Sequence, residues 1–425
     1  MRRSPSRVLV LSQYYRPEPN FITADVAELC SQHAHVTVVT GHPNYPSGSF
    51  PPGTRWWKPV RSVENNVVVW RVPLIPNHSN SILHRAVCYL SFLVMATLIA
   101  PFVAGRPAIV WVYHTPFTTA LAALWFKFAY GSKLVFTVTD LWPESFSAAG
   151  VANSGFLMRA MYRYRRWINR QADRLVCVTQ GTLETFAREG IDPDRLVHIP
   201  VWVDGIDLQP APDHESASPP LSIVYSGNLG PAQSLSTIVL AAAILEREGT
   251  RVRFDLFGSG TSEEELRALV EQEGCTNVVF HGRVPPAESF RVSRDAFAQI
   301  VCLRRNDLFR MTIPSKLMFC FAAGAPILYG LEGEAAEIAS RSGGAIRFQV
   351  DDPATLAAAV RQLIAIPVTE RNGMRSRLWH YYRSRFDRKA LLDQYRCLFA
   401  DLDTAWSVPI PTLRSGDHGQ PLHAS

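Results

Sequence analysis

No C-x-x-C pair occurs in this chain, and its cysteines number seven, an odd count scattered from Cys30 to Cys397 over 425 residues. Most lie inside apolar runs. They read as core thiols of a reducing cytosol, not as a disulfide framework or a zinc site. Lysine is scarce, at five residues, so the net charge of +6 comes largely from arginine. Arginine favours planar, bidentate anion contacts over diffuse attraction. No RNP, zinc-finger or basic-zipper pattern is present, which argues against a nucleic-acid partner. The start, MRRSPSR, runs directly into VLVLS without the apolar region and cleavage site of a signal peptide.

What is present is enough apolar sequence for two cores: 47% of 425 residues. Strands are expected at Val8–Ser12, Val36–Thr40, Val67–Val72, Ile109–Tyr113, Lys133–Thr139, Arg174–Thr179 and Val197–Pro200, with helical patterns between most of them. Strands that alternate with helices form a parallel, doubly wound α/β sheet. Pro210–Pro220, PAPDHESASPP, has linker composition. The pattern then restarts at Ser222–Ser226, Arg253–Phe257, Asn277–His281, Ala298–Cys302, Pro326–Tyr329 and Ile346–Val350. A helix is expected from about Leu378 to Leu402. The domain reading is 1–209, a linker at 210–220, 221–380, a C-terminal helix at 381–405 returning to the first domain, and a disordered tail at 406–425. Ligands of such sheets bind beyond the carboxyl ends of the strands.

Ala86–Gly105 carries no charge and is long enough to span a bilayer. A span would put two parts of one sheet on opposite sides of the membrane, so a buried or interfacial helix is expected instead. Arg159, Arg163, Arg166, Arg170 and Arg174 recur at spacings of three and four. They predict either a solvated helix face or one that meets anionic lipid.

Leu308–Glu334, LFRMTIPSKLMFCFAAGAPILYGLEGE, is the most specific stretch. Ser315 and Lys316 stand at a helix start, where unpaired backbone N–H groups and a cation favour phosphate. A lysine there opposes the helix dipole unless an anion is present. Arg304, Arg305 and Arg310 add charge nearby. Glu334, beyond the next strand, is placed for sugar or ribose hydroxyls, with Gly333 beside it. Gly227, Asn228 and Gly230 follow one strand, Gly258 a second, and Gly282 and Arg283 a third; glycines let the backbone approach a diphosphate.

In the first half, Glu18 and Asn20 lie in QYYRPEPN. The loop either meets an acceptor hydroxyl or is a stiff turn. His42 lies in GHPNYP, as a turn residue or a base. Asp140 and Glu144 of DLWPES either bind sugar and act as acid or base, or cap a helix.

Together QYYRPEPN, TGHPNYPSG, DLWPES, YSGNLGPAQSL and LFRMTIPSKLMFCFAAGAPILYGLEGEAAEI make the chain resemble the GT-B glycosyltransferases of family 4. The likeness is to the bacterial O-antigen and capsule group that includes the N-acetylfucosaminyl and colanic-acid transferases, and it spans Val8 to Leu402. It implies an α/β fold of two Rossmann-like domains with parallel sheets facing a cleft. It also implies retaining, metal-independent transfer, with no cofactor, of a hexosyl or N-acetylhexosaminyl group from a nucleoside diphosphate sugar such as a UDP-sugar. The acceptor would be a lipid-linked glycan, at an anionic membrane surface on the cytoplasmic side. Lys316 and the Gly227–Gly230 turn would bind the diphosphate, Gly282–Val284 would lie near the base, Gly333 and Glu334 near the donor, and Glu18 and Asp140 would face acceptor and sugar. The chain departs from the family at Met311 and Phe319, where many members have glutamates, at Gln233 and Ser234, where many have lysine, and at Thr139, where histidine is common. Phe319 leaves open a second reading, a non-catalytic scaffold of a polysaccharide assembly complex.

Overall fold

The structure, a computed structural model, describes residues 6–45, 47–76, 82–144, 155–203, 208, 220–306, 309–310 and 312–406. The linker before Pro220, Met311 and the tail beyond Trp406 lie outside them. The chain forms two compact units. One takes in the chain up to Val178, Thr182–Ile199 and the part from Lys389 onward; the other takes in Thr179–Gly181 and Pro200–Arg388.

The first unit is built on eight strands: β1 (Ser6–Leu11), β2 (Ala34–Gly41), β3 (Val60–Glu64), β4 (Val67–Val72), β5 (Ile109–Tyr113), β6 (Lys133–Val138), β7 (Arg174–Cys177) and β8 (Leu196–His198). Their spatial order is β3-β4-β2-β1-β5-β6-β7-β8. All neighbours are parallel except β3 and β4. On β1, Val8 stands opposite Val36 and Ile109. Strands buried on both faces need apolar residues in succession, which is why VLVL reads as an unbroken run. The antiparallel β3 is an element the sequence reading missed. Its signal is Asn65-Asn66, both in the left-handed region at φ 48° and 66°, as a tight hairpin requires.

The helices of this part are α1 (Phe21–Ser31), α2 (Ile82–Val103), α3 (Ala120–Tyr130), α4 (Gly155–Asn169) and α5 (Gln180–Arg188), whose first two residues are counted with the second unit. Cys88, Phe92, Ala96 and Ala100 of α2 are buried. The strands on either side of α2 in sequence, β4 and β5, belong to one sheet, so α2 does not divide it across a bilayer. The arginine stripe is shorter than its spacing predicted. Arg159, Arg163 and Arg166 are exposed on α4, Arg170 lies just past its end, and Arg174 opens β7 and pairs with Asp401 at 2.6 Å.

In the second unit β9 (Leu221–Ser226), β10 (Val252–Phe257), β11 (Val278–Gly282), β12 (Ala298–Cys302), β13 (Ile327–Gly330) and β14 (Ala345–Arg347) form a wholly parallel sheet in the order β11-β10-β9-β12-β13-β14. Its helices are α6 (Leu235–Arg247), α7 (Glu263–Glu273), α8 (Pro286–Asp295), α9 (Ser315–Ala323), α10 (Gly333–Arg341), α11 (Pro353–Ala365) and α12 (Val368–Arg385). From β9 the winding runs to β10 and β11 on one side, then to β12, β13 and β14 on the other. The switch point between β9 and β12 is where such a sheet opens a crevice at its carboxyl edge.

The single terminal helix expected from Leu378 to Leu402 is two helices. Buried Phe386 leaves the helical conformation and stacks on Phe321 at 5.9 Å, ending α12. The next helix, α13 (Arg388–Leu402), belongs from Lys389 onward to the first unit. There the Tyr395 hydroxyl lies 3.1 Å from Thr137 Oγ1, and its ring meets Trp111 edge-on at 5.8 Å. All seven cysteines are free, and five are buried.

Candidate active site

In the second unit the glycine turns gather at the carboxyl ends of β9, β10 and β11. Gly227 donates to the Phe257 carbonyl at 2.8 Å, and Gly258 donates to that of Gly282 at 2.7 Å. The contact needs glycine. A Cβ on Gly258, at φ 133°, would stand 1.8 Å from the Gly227 oxygen. The next residues continue the pattern: Leu229 donates to Ser259 O at 3.0 Å, and Ser262 donates to Leu229 O at 2.9 Å. Asn228 and Arg283 are exposed on this edge. Gly230 precedes a short helical turn that brings Gln233 O to within 3.0 Å of Cys302 Sγ.

Lys316 enters from the other side of the switch point. Pro314, the residue that caps α9, offers no side-chain hydrogen bond to the helix start, and Ser315 there is exposed. The Lys316 ammonium sits 3.4 Å from the centroid of the Tyr225 ring. A Cβ on Gly227 would fall 2.7 Å from Nζ, so this glycine makes room for the lysine. The Tyr225 hydroxyl donates to Asn228 O at 2.8 Å, tying the lysine's platform to the glycine turn. Burial lowers the Lys316 pKa to about 8, against the opposing pull of Cys302 and Cys320. A half-desolvated cation at an uncapped helix start, facing glycine backbone, is an arrangement for an anion.

Tyr225 is a residue the sequence reading passed over. Its position two before the Gly-Asn turn was the available signal. Asp351 is another. It accepts from Ser234 Oγ and, at 3.3 Å, from the Arg305 N–H, which ties the loop after β12 to the start of α6. Arg305 also pairs with Glu332 at 3.4 Å. Gly333, at φ 64°, packs so closely on Arg310 that a Cβ would lie 1.9 Å from its carbonyl oxygen, and Glu334 N–H donates to that oxygen at 3.2 Å. The Glu334 carboxylate accepts from the backbone N–H groups of Gln180 and Gly181, each at 2.7 Å, in the short segment counted with this unit. Phe319 is half-buried and meets Phe290 edge-on at 5.6 Å.

In the first unit, Glu18 is buried and binds backbone. Its Oε1 accepts from Asn44 and Tyr45 N–H at 2.9 and 2.8 Å, and its Oε2 from Tyr15 N–H at 3.4 Å. It joins the loop after β1 to the loop after β2. Burial raises its pKa, while the three N–H groups pull it back. Asn20 donates to Tyr14 O at 3.1 Å. His42 is buried with Nε2 3.0 Å from Lys58 O, and burial holds its pKa below the ordinary value. Asp140 is exposed after β6, 3.2 Å from Thr139 Oγ1 and 3.4 Å from Thr115 Oγ1. Glu144 pairs with buried Arg165 at 2.6 Å; Arg165 also donates to Trp142 O at 2.9 Å and pairs with Glu189. That buried arginine, which the sequence reading did not single out, holds the loop carrying Asp140. Loops after β1, β2 and β6 bring Glu18, Asn20, His42 and Asp140 to the carboxyl edge of the first sheet. No group of three or more metal-ligating side chains gathers among the described residues.

Two family models match the chain, a glycosyl transferase 4-like domain over residues 20–202 and a glycosyl transferases group 1 domain over 220–365. The Pseudomonas aeruginosa protein named as glycosyltransferase WbjE is 26% identical over 261 residues, 58% of this chain and 64% of its own length, so that match spans less than two thirds of the relative. The Escherichia coli K12 protein named as colanic acid biosynthesis glycosyl transferase WcaI is 24% identical over 392 residues, 85% of this chain and 93% of the relative. Among solved structures, Anabaena Alr3699/HepE in complex with UDP and glucose is 14% identical with a TM-score of 0.65, covering 93% of this chain and 99% of that one. The sucrose-phosphate synthase of Thermosynechococcus elongatus is 14% identical with a TM-score of 0.66, covering 93% and 100%. At that identity the structures establish the shared fold.

Proposed function

The chain belongs to the family 4 glycosyltransferases of the GT-B fold, in the O-antigen and colanic-acid group, and we propose that it moves a sugar from a nucleoside diphosphate donor to a lipid-linked glycan with retention of configuration. The observation that carries the donor side is Lys316. Its ammonium stands over Tyr225, beside Gly227, at the uncapped start of α9. Bound there, a diphosphate regains the solvation the lysine lacks and meets the N–H groups of the helix start. As the bond from sugar to phosphate breaks, negative charge grows on the leaving oxygen, and Lys316 stabilises it where it develops. The departing phosphate takes the proton of the acceptor hydroxyl, so positioning and charge supply the rate without a strong base. Lys316 and the helix start supply the positive charge that a metal ion would otherwise bring to the diphosphate.

UDP is the favoured nucleotide, since Alr3699/HepE is described with UDP and with UDP-glucose. The transferred group is a hexosyl or N-acetylhexosaminyl unit. Asp140, exposed at the carboxyl edge of the first sheet, faces acceptor or sugar. Glu18 acts by holding the acceptor-side loops, because its oxygens already serve backbone N–H groups. The enzyme works as a peripheral protein at the cytoplasmic face of the membrane, where a lipid-linked acceptor is found. Calorimetry with UDP, GDP and their sugars is the test. Binding that Lys316→Ala weakens supports the reading, and no binding of any of them at millimolar concentration overturns it.

Phe319 favours the second reading, a GT-B scaffold without activity, because its ring is packed on Phe290 where a carboxylate would hold ribose. Phe319→Glu separates the two. A variant active site changes its nucleotide affinity, whereas a degenerate one stays inactive.

A further inference from the structure

Helix α2 is apolar on both faces. One face, Cys88, Phe92, Ala96 and Ala100, is buried against its own unit. On the other, Leu90, Val94, Leu98 and Phe102 recur every four residues and are 52%, 53%, 59% and 87% exposed. The neighbouring α3 adds Phe128, 73% exposed, with Trp125 and Tyr130 also in solvent. The Arg106 guanidinium, just past α2, lies 5.5 Å from the Tyr130 ring centroid and joins the ends of the two helices into one surface. Neither helix contains an aspartate or glutamate, while Arg85 and Arg106 mark the two ends of the α2 stripe, both exposed. Single exposed apolar residues are ordinary, but a stripe running about 18 Å along a helix marks an interaction surface.

We infer that this face seats on an anionic lipid bilayer, with the α2 stripe and Phe128 in the acyl boundary and Arg85 and Arg106 on lipid phosphates. The inference rests on the peripheral reading above and assigns it a surface. Charge decides the occupant. Two copies of the chain pairing through α2 would bring arginine-marked ends together with no carboxylate on either helix to answer them. An anionic leaflet presents opposite charge along the whole stripe. Trp125 and Tyr130 have the apolar body and polar tip that suit the head-group level. The buried face of α2 keeps the helix attached to its unit, so contact is interfacial and does not cross the membrane.

The test is co-sedimentation of the full chain with phosphatidylcholine vesicles, with and without phosphatidylglycerol. Wild type should partition at least about tenfold more strongly to the anionic vesicles. Leu98→Glu/Phe102→Glu should abolish sedimentation with both. Arg85→Glu/Arg106→Glu should remove the preference for the anionic lipid. All these positions are exposed, and a melting curve checks that each variant is folded. Absence of wild-type binding to anionic vesicles overturns the inference, as does unchanged binding by both variants. A vesicle-free wild-type dimer that Leu98→Glu/Phe102→Glu turns into a monomer assigns the face to a second copy instead. UDP affinity measured on the same samples should not change. If wild type binds no nucleotide, the donor reading fails while the lipid result stands by itself.

Discussion

The ammonium of Lys316 rests 3.4 Å from the centre of the Tyr225 ring. This pairing joins the two sides of a topological switch point, since Tyr225 belongs to β9 and Lys316 follows β12. The ring replaces part of the lysine's lost hydration without neutralising it, so the charge is kept for a ligand. Lys316→Ala should weaken diphosphate binding between about 10- and 100-fold, the range for a lost bond to a charged group, by calorimetry. Tyr225→Leu should weaken it less, by about fivefold.

The same lysine sets a pH dependence. With a free-protein pKa of about 8, it is charged at pH 7 and largely neutral at pH 9. UDP affinity should therefore fall about tenfold between those values. In Lys316→Arg the fall should disappear, because arginine does not titrate there. A UDP titration across pH 7 to 9 checks both statements.

Glycine is needed at Gly258 and much less so at Gly282. Gly258→Ala would drive a methyl into the Gly227 carbonyl from a backbone conformation of φ 133°, whereas a Cβ on Gly282, at φ 70°, meets nothing within 4 Å. The first should cost about 3 kcal/mol or more and the second about 1 kcal/mol. Denaturant titration measures the difference.

Glu18→Ala should destabilise the first unit by about 2–3 kcal/mol, because it leaves the N–H groups of Asn44 and Tyr45 in a closed loop without their acceptor. Glu18→Gln keeps an acceptor oxygen and should recover most of the loss. If activity follows stability across the pair, Glu18 holds the loops; if Glu18→Gln is stable but inactive, its charge takes part in the chemistry.

Acid should loosen the first unit through buried histidines. Burial depresses the pKa of His42, and that of His114 to about 4. A depressed histidine stabilises the folded state fully above its unfolded value of about 6.5 and loses that contribution as pH falls towards the folded value. Denaturation midpoints should thus drop between pH 6.5 and 4. His114→Asn should flatten part of that slope.

Transfer that relies on Lys316 and the helix start should persist in excess EDTA. A donor-turnover assay with and without the chelator reads this, and loss of turnover restored by a divalent cation would reverse the metal-free proposal.

Much of the fold was legible because parallel strands buried on both faces leave unbroken apolar runs. VVVWRV and AQIVC coincide with β4 and β12 to the residue. The antiparallel β3 escaped because VRSVE alternates and is half-exposed, so the run rule did not apply. The break at Phe386 escaped because local helix preference is continuous there and only packing on Phe321 interrupts it.

The sequence by itself determined the two α/β repeats, the glycine turns and the family, since each is written in local pattern and motif. What only tertiary structure decided is how side chains far apart in sequence answer one another. Tyr225 became the platform of Lys316, Arg165 the anchor of Glu144, and Glu18 a clamp on two loops. An aromatic ring, a guanidinium and a carboxylate can each serve several partners. Which one they meet depends on where the strands place them, and that is settled by the order of strands in the sheet, not by spacing along the chain.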